Sequence, residues 1–431
     1  MAIRFDAVIV GGGPAGLSAA LVLAQAGVKV AVIERGDYAG AKNMFGGVIY
    51  HEPTDWVVPG FASEAPLERR IGHHEYWFLD ERSALKIAYE DAAWREKPNA
   101  WSVMRAKFDA WFAGKVEKAG AQVITQTTVV DLLRDGRTIR GVVTSRPEGE
   151  VEAPLVLIAQ GVNALLVEKA GLGRDWRADE VVLGVKEVIQ LPKGAIEERF
   201  GLTEGEGTAV EMLGGEATAG LMGSAFLYTN SDTVSIGTAV LLSHLREQGE
   251  NPNRLLERIK AHPSVAPLLK GGEMREYSAH LIPEGGYRAM PRLYGNGVLV
   301  AGDSAAMVNA VTMEGTDLAM VSGKLAGETM LEALEKGDFT ERTLSRYRDR
   351  LEDSFVFRDL KQFSRVGTFF ADNRQYFDFY PRLANGVARQ LFTVDLRPKA
   401  EHVRGLLDQI RGRRSLWRIG MDLVRGWRAL A

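Results

Sequence analysis

The sequence predicts an α/β protein, α+β overall, whose first domain is a Rossmann-like nucleotide-binding domain. Three observations carry this prediction. The N-terminal segment has the pattern strand, glycine-rich turn, helix, and a second strand with a Gly-Asp turn lies close to residue 300. Residues 176–284 alternate apolar and polar side chains with frequent glycine, as antiparallel strands do. We therefore expect a nucleotide-binding domain with two such motifs, a mainly antiparallel domain and a helical C-terminal region.

The domain limits follow from the same patterns. The discontinuous nucleotide-binding domain is predicted over residues 1–75, 100–175 and 285–335. The antiparallel domain, which would hold the substrate, is predicted over residues 76–99 and 176–284, and the helical C-terminal region over 336–431.

The composition excludes several classes of protein. The chain has 431 residues and a net charge of −3, so nothing in the charge balance suggests a nucleic-acid partner. It contains no cysteine, which excludes disulfides and a cysteine-ligated iron–sulfur cluster in this chain. The start "MAIRFD" has no signal-peptide pattern, so a cytoplasmic location is expected.

The first motif is "DAVIVGGGPAGLSAALVLAQAGVKVAVIER". Its glycines follow G-x-G-x-x-G where the strand becomes the helix, and an acid ends the second strand. The first glycine permits the tight turn, the second lets a pyrophosphate approach the backbone, and the third lets helix and strand pack closely. The acid suits a ribose hydroxyl pair. Cofactor contacts are predicted at Gly11, Gly13, Ala15, Gly16, Glu34 and Arg35.

The second motif is "NGVLVAGDSAAMVNAVTMEGTDLAMVSGKLAGE". It resembles the second flavin motif of FAD-dependent reductases and hydroxylases, and the cofactor implied is FAD. By that resemblance Gly302 and Asp303 lie at the flavin, and the aspartate binds ribityl and phosphate oxygens. Gly315 and Thr316 open the next helix, whose N-terminus would stabilise negative charge on the reduced ring.

A third segment, "WSVMRAKFDAWFAGKVEKAGAQVITQTTVVDLL", predicts a helix followed by the strand "AQVITQTTVV". In the FAD-dependent reductases and hydroxylases, an arginine at this place reaches FAD and the following strand contacts adenine through its backbone. The resemblance implies these roles for Arg105 and for the backbone near Val129. Further along the chain, this superfamily usually has Asp-Gly, whereas this sequence has Gln160-Gly161. Gly161 is predicted to contact the cofactor. An amide carries no charge, which counts mildly against direct chemistry with a nicotinamide cofactor.

The loop "AKNMFGGVIY" follows the second strand. In this fold that loop runs beside the flavin ring. It resembles the Lys-Asn-x-x-Gly-Gly stretch of FixC proteins, relatives of electron-transfer-flavoprotein:quinone oxidoreductase. Lys42 and Asn43 would offer donors, and Gly46 and Gly47 would let backbone approach the flavin. The stretch "GSAFLYTNSDTVSIGTAV" also resembles the FixC family, whose strand pair there lies over the substrate side of the flavin.

The resemblance implies a function. A FixC-type subunit passes electrons from an electron transfer flavoprotein, with alpha and beta subunits, to a membrane quinone. Its complex also contains a ferredoxin-like iron–sulfur protein, which matches the absence of cysteine here. Such complexes split the electrons of NADH between ferredoxin or flavodoxin and quinone, and this chain would lie on the quinone branch.

The terminal segment "SLWRIGMDLVRGWRALA" predicts an amphipathic helix. One face carries tryptophans and leucines, and arginines lie opposite, which is typical of a helix on an anionic lipid surface. Contact with the inner face of the cell membrane through residues 415–431 is one interpretation. Packing against the body of the protein or a partner is the other.

Other functions stay open on the sequence alone. A geranylgeranyl-reductase-like enzyme, a hydroxylase fed by NAD(P)H and a non-catalytic flavin-containing scaffold would share the nucleotide-binding motifs. No side chain stands out as a catalytic acid or base, so no catalytic residue is assigned. No metal site is predicted.

Overall fold

The computed structural model describes residues 3–42, 47–163 and 165–430. Its strands are β1 (Ile3–Arg4), β2 (Ala7–Val10), β3 (Val30–Ile33), β4 (Val48–Tyr50), β5 (Leu67–Leu79), β6 (Ala84–Glu90), β7 (Ala100–Val103), β8 (Gln122–Ile124), β9 (Val129–Asp135), β10 (Thr138–Thr144), β11 (Glu150–Glu152), β12 (Leu155–Ile158), β13 (Val181–Gln190), β14 (Glu206–Leu213), β15 (Gly223–Thr229), β16 (Thr233–Leu241), β17 (Glu273–Pro283), β18 (Tyr294–Gly295) and β19 (Val298–Val300).

The helices complete the mixed α/β architecture. They are α1 (Pro14–Gln25), α2 (His51–Val57), α3 (Ala93–Glu96), α4 (Arg105–Lys118), α5 (Leu165–Lys169), α6 (Ala195–Phe200), α7 (Leu242–Gln248), α8 (Pro252–Ala261), α9 (Ala266–Leu269), α10 (Gly286–Ala289), α11 (Thr316–Lys336), α12 (Glu341–Leu344), α13 (Arg346–Asp353), α14 (Phe355–Gln362), α15 (Val366–Asp372), α16 (Phe379–Phe392), α17 (Lys399–Arg413) and α18 (Leu416–Leu430). Among the described helices, none is both long and apolar enough to cross a membrane.

The chain forms two compact units. The first contains residues up to Arg70, then Pro98–Val181 and Leu281–Ser364. The second contains Ile71–Lys97, Val182–His280 and the residues from Arg365 onward. The division differs from the predicted helical region 336–431, because α13 and α14 bury large apolar side chains in the core of the first unit. The other predicted limits stay a prediction.

A parallel sheet organises the first unit. Its strand order is β18-β19-β12-β2-β3-β8, with β18 as an antiparallel edge strand. The central strands are buried on both faces, as their runs of valine, isoleucine and leucine predict. In the register of β2, Val10 pairs with Ile33 of β3 and Ile158 of β12. The carboxyl ends of these strands therefore meet at one edge, where ligands bind in open α/β sheets.

One predicted strand is wrong. The segment "AQVITQTTVV" is divided into β8, which extends the parallel sheet, and β9, which joins a separate sheet of order β1-β11-β10-β9. The chain turns between them at Gln126, whose φ is 51°. The amides of Gln126 and Thr127 donate to the backbone oxygens of Gly36 and Glu34, which satisfies this turn without strand pairing.

The second unit is built on an antiparallel sheet. Strand β13 pairs with β16, β16 with β15, and β15 with β14, and β5 and β6 form a further antiparallel pair. Apolar side chains at alternate positions along these strands point into one core. The short helices α6, α8 and α9 add leucine and isoleucine side chains to the same core. Helices α15–α18 follow at the C-terminal end.

Close contact between α1 and α11 joins the two nucleotide-binding motifs. An added Cβ at Gly323 would lie 2.0 Å from the backbone oxygen of Ala15, and one at Gly327 would lie 2.9 Å from that of Ala19. These distances leave no space for a side chain, so the backbones themselves are in contact.

This contact generates the first prediction. Gly323→Ala should lower the free energy of unfolding by about 1–3 kcal/mol, because the new methyl group must push α11 away from α1. Denaturant unfolding measures the change.

Gly114→Ala in α4 is the matched control, since an added Cβ there meets nothing within 4 Å. It should stabilise the protein by roughly 0.5–1 kcal/mol through helix propensity. If both substitutions changed the free energy of unfolding equally, the close contact between α1 and α11 would be contradicted.

Candidate functional site

The glycine-rich turn after β2 has the geometry that a pyrophosphate requires. Gly11 has a φ of 109°, and an added Cβ would lie 2.2 Å from the backbone oxygen of Ala159. A Cβ at Gly16 would lie 2.0 Å from the oxygen of Gly11, whereas Gly13 has no atom within 4 Å of that position. The turn is thus closed on its inner side and open at Gly13. Helix α1 begins there without a side-chain cap, which leaves its first N–H groups for an anion.

Glu34 lies against the same turn. Its Oε2 accepts the N–H of Gly12 at 2.7 Å, and its Oε1 accepts the N–H of Gly36 at 2.6 Å. The side chain is buried, so these two bonds fix its position. Each oxygen keeps a further lone-pair site, with which the carboxylate can accept from ligand hydroxyls.

A buried ion pair lies within α4, and its arginine also bonds to the first residue of α11. The guanidinium of Arg105 donates to both carboxylate oxygens of Asp109, from Nε at 2.9 Å and from Nη2 at 2.8 Å. Its Nη1 donates to Oγ1 of Thr316 at 3.0 Å. An added Cβ at Gly40 would lie 2.6 Å from Cβ of Asp109, so the loop after β3 packs directly on this pair. The first turns of α4 and α11 are thereby held together.

The Gly-Asp turn after β19 adds a second acid. Gly302 has a φ of 64°, and an added Cβ would lie 2.9 Å from Cβ of Ala15 on α1. Burial raises the pKa of Asp303 to about 6, and the nearby positive charge of Arg105 opposes that rise. Burial, followed by repulsion from Glu314, raises the pKa of Asp317 to about 7. The Gly-Asp turn and the first turn of α11 therefore each carry a carboxyl group with a pKa close to neutral pH.

Gln160 has a structural partner. Its Oε1 accepts the backbone N–H of Leu166 at 3.2 Å, in the first turn of α5. Gly161 follows with a φ of 71°, and its oxygen accepts the hydroxyl of Ser304 at 2.9 Å. The amide side chain thus supports a helix start, and Gly161 is tied to the Gly-Asp turn.

The other predicted contacts are placed as follows. Val129 is buried at the start of β9, and Ala15 is buried in the first turn of α1. Arg35 and Lys42 are exposed. The oxygen of Gly47 accepts the N–H of Val103 at 2.9 Å. Asn43 and Gly46 lie outside the described residues.

The structure therefore brings one group of predicted residues together at the carboxyl edge of the parallel sheet. The group comprises Gly11, Gly13, Gly16, Glu34, Arg105, Gly161, Gly302, Asp303, Gly315 and Thr316. Asp109 is not among the residues predicted from the sequence, although its spacing of four residues from Arg105 on a helix is the signal for an ion pair. This arrangement fits a dinucleotide, with the open N-terminus of α1 for phosphates and the fixed Glu34 carboxylate for a ribose.

The terminal helix α18 lies in the second unit and turns a polar side inward. Asp422 is buried and accepts from Nε and Nη2 of Arg414 at 2.5 and 2.8 Å, and from the hydroxyl of Tyr380 at 2.7 Å. The tryptophans point away from the unit, with Trp417 76% and Trp427 74% exposed. The apolar face predicted from the sequence is thus the exposed one.

Comparisons with known proteins agree with this geometry. Residues 6–181 match the family model described as FAD dependent oxidoreductase, and residues 366–431 match the ETF-QO/FixC family C-terminal domain. Protein FixC of Azorhizobium caulinodans is 41% identical over 433 residues, covering 99% of each chain. Protein FixC of Escherichia coli K12 is 45% identical over 396 residues, covering 91% of each. This chain belongs to the FixC family. It is an FAD-dependent oxidoreductase, and the resemblance noted from the sequence is confirmed.

Solved structures share the fold of this chain. A geranylgeranyl bacteriochlorophyll reductase-like protein from Thermoplasma acidophilum has a TM-score of 0.73 at 19% identity, covering 96% of this chain and all of its own. A flavin-dependent brominase has a TM-score of 0.68 at 16% identity, covering 95% and 100%. The predicted fold class is confirmed.

The buried ion pair of Arg105 and Asp109 gives the second prediction. Arg105→Met should lower the free energy of unfolding by about 3–5 kcal/mol, because it leaves the Asp109 carboxylate buried without its partner. The double variant with Asp109→Leu should recover most of that stability. If Arg105 also serves the cofactor, the double variant still binds FAD more weakly than wild type.

Unfolding in denaturant and FAD titration measure the two effects separately. The control is Arg382→Met, which removes an exposed pair with Asp378 and should change stability by less than about 1 kcal/mol. A double variant as unstable as the single one would show that the unpaired carboxylate is not the cause of the loss.

The third prediction concerns Asp303. Its pKa of about 6 exceeds its ordinary value of 3.8, so the folded protein holds this proton more tightly than the unfolded chain. Its contribution to stability is complete below about pH 4 and is lost as the pH rises through about 6. Asp303→Asn should therefore raise the melting temperature of FAD-free protein at about pH 8 more than at about pH 5.

The same substitution should weaken FAD binding by about tenfold or more, since it removes a charged hydrogen-bond acceptor. Thermal unfolding at the two pH values and FAD titration test both statements. A melting-temperature difference that is independent of pH would show that Asp303 is not the group concerned.

Proposed function

We propose that this chain passes electrons from an electron transfer flavoprotein to a membrane quinone. Family membership over nearly the whole chain, including the ETF-QO/FixC C-terminal domain, is the observation that carries the proposal. Bound FAD would supply the chemistry of accepting and releasing electrons. The chain itself binds the cofactor, orients it and excludes water.

The residues at the carboxyl edge of the parallel sheet divide that task. The N–H groups at Gly13 and the start of α1 hold the pyrophosphate, and Glu34 accepts from the ribose hydroxyls. Asp303 accepts from ribityl hydroxyls, and the start of α11 at Thr316 faces the pyrimidine part of the flavin. Further contacts are assigned to Ala15, Arg35, Lys42, Asn43, Gly46, Gly47, Val129, Gly161 and Gly315.

Reduction by a protein partner is favoured over direct reduction by a nicotinamide cofactor. Gln160 replaces the usual aspartate, and its Oε1 is occupied by the backbone N–H of Leu166. A neutral side chain that supports α5 offers no carboxylate for a second cofactor. Electrons would then arrive from the alpha and beta subunits of the electron transfer flavoprotein.

The assembly we propose contains a further protein. Because this chain has no cysteine, an iron–sulfur cluster of the complex would be carried by a ferredoxin-like partner. In that assembly NADH electrons are divided between ferredoxin or flavodoxin and quinone, and this chain forms the quinone branch.

Contact with the inner face of the cell membrane is proposed through α18. A water-insoluble quinone must be collected at the lipid surface, and the exposed face of α18 carries tryptophan and leucine side chains. Arginines such as Arg418 and Arg425 are exposed on the same helix and would interact with anionic headgroups.

An anaerobic absorbance titration tests the electron donor. The FAD of the purified protein should stay oxidised with NADH or NADPH alone, become reduced by reduced electron transfer flavoprotein, and be reoxidised by a quinone analogue. Rapid reduction by either nicotinamide alone would overturn the proposal in favour of a self-contained hydroxylase or isoprenoid reductase. Reduction without reoxidation by quinone would instead favour a flavin-containing scaffold.

The fourth prediction concerns α18. The double substitution Trp417→Ser and Trp427→Ser should weaken binding to vesicles containing anionic lipid by at least about tenfold. Each tryptophan side chain that moves from water into the lipid surface contributes about 1.5–3 kcal/mol to binding. Vesicle co-sedimentation measures the binding. Trp56→Ser, at an exposed tryptophan of the first unit, is the control and should leave binding unchanged. Equal losses in both variants would exclude α18 as the specific contact.

A further inference from the structure

The antiparallel sheet of the second unit has a second face that differs from its core. Val210 and Met212 of β14 lie in the core, so Glu211 between them lies on the opposite face. Ala225 and Leu227 of β15 lie in the core by the same alternation. That places the two aromatic side chains of β15 beside Glu211.

The strand register places these groups in one cluster. Glu211 pairs with Phe226, and Tyr228 is its diagonal neighbour on the same face. The hydroxyl of Tyr228 donates to Oε1 of Glu211 at 2.6 Å. The rings of Phe226 and Tyr228 are stacked, with centroids 5.0 Å apart and planes 15° apart. We call Glu211, Phe226 and Tyr228 the sheet-face cluster.

Small residues surround the sheet-face cluster. Gly237 of β16 pairs with Phe226, and an added Cβ there would lie 2.4 Å from the Phe226 ring. Ser235 pairs with Tyr228, and Ala209 also pairs with Tyr228 from the other side. The aromatic pair therefore lies over backbone and small side chains, which gives its rings a fixed position.

Glu211 keeps one oxygen for a ligand. Its Oε2 is buried and has no hydrogen-bond partner among the described residues. Burial raises the pKa of Glu211 to about 8, although the bond from Tyr228 opposes that rise. At neutral pH the group is thus a neutral carboxylic acid, which can donate as well as accept.

Further titratable side chains lie on the same face of the sheet. Tyr76 of β5 lies on the same face, and burial followed by the negative charge of ionised Glu211 raises its pKa. Lys186 of β13 pairs with Gly237 and is also buried on this face. Glu75 lies on the opposite face, where it accepts from the indole N–H of Trp77 in the core.

We propose that the sheet-face cluster binds the head group of a quinone, with Glu211 donating a hydrogen bond to a carbonyl oxygen of the ring. This inference rests on the proposed function and names the residues that would hold its acceptor. A quinone ring is flat and uncharged, and its polar atoms only accept hydrogen bonds. An aromatic pair beside a neutral acid matches each of these properties. A carboxylate at the same place would repel the carbonyl oxygen.

Menadione binding to the FAD-loaded protein tests this inference. The dissociation constant is measured by quenching of protein fluorescence between about pH 6.5 and about pH 9.5. Because the chain has no cysteine, menadione cannot be trapped by thiol addition. The constant should be level at low pH and rise about tenfold per pH unit above about pH 8, as the donor is lost.

Three variants identify the group responsible. Glu211→Gln keeps an N–H donor and should bind menadione without that pH dependence. Tyr228→Phe keeps the ring but removes the bond that lowers the pKa of Glu211, so the inflection should move to higher pH. Glu75→Gln on the opposite face is the matched control and should behave as wild type. Each variant is first checked for FAD content and melting temperature.

The outcomes separate this inference from the function on which it rests. A level profile in wild type, absence of menadione binding, or an inflection that persists in Glu211→Gln would overturn the inference. If the protein still passes electrons from reduced electron transfer flavoprotein to menadione, the proposed function stands without it. A Glu211-dependent profile without such transfer would support the ligand site and contradict the proposed function. If Glu211→Gln does not fold, the wild-type profile and the shift in Tyr228→Phe still decide.

Discussion

The buried guanidinium of Arg105 is the constraint on which the nucleotide-binding site depends. It joins Asp109 on its own helix to Thr316, which is far away in sequence, and its charge acts on Asp303. Removing a guanidinium and a carboxylate from water is unfavourable, and only close pairing offsets it. The first turns of α4 and α11 therefore have little freedom to move apart. Because the glycine-rich turns contribute no side chains, these polar contacts hold the helix starts around the site in place.

Direct backbone contact between α1 and α11 also fixes the positions of the two nucleotide-binding motifs. Gly323 and Gly327 let α11 lie against the backbone of α1, and Gly302 lies against Ala15 at the start of that helix. Packing at this distance converts two separate strand-turn-helix motifs into one edge with two helix N-termini. A dinucleotide has phosphates and a ring system that need such a paired arrangement.

Much of this site could be predicted from sequence because it depends on backbone. Glycines at fixed spacing between a strand and a helix are typical of a phosphate-binding turn, so the pattern indicates the turns at Gly11 and Gly302 directly. The division of the strand at Gln126 could not be predicted, because glutamine does not indicate a positive φ and long-range amide bonds stabilise the turn. Glu211 was missed for a related reason. Its partners come from another strand, and a single acid in an alternating segment is typical of a solvent-exposed face.

Helix α18 illustrates how polar contacts can determine which face of a helix is exposed. An amphipathic helix on a water-facing protein normally buries its apolar stripe. Here Asp422 faces inward, because Arg414 and Tyr380 supply charge and hydrogen bonds that an apolar stripe could not satisfy. The tryptophans are left on the outer face, where exposure to water is unfavourable. Since the inward contacts already fix the helix, a surface outside the chain that covers the apolar face would add stability. Lipid provides such a surface without requiring a matching shape, and that agrees with an enzyme whose proposed acceptor dissolves only in the membrane.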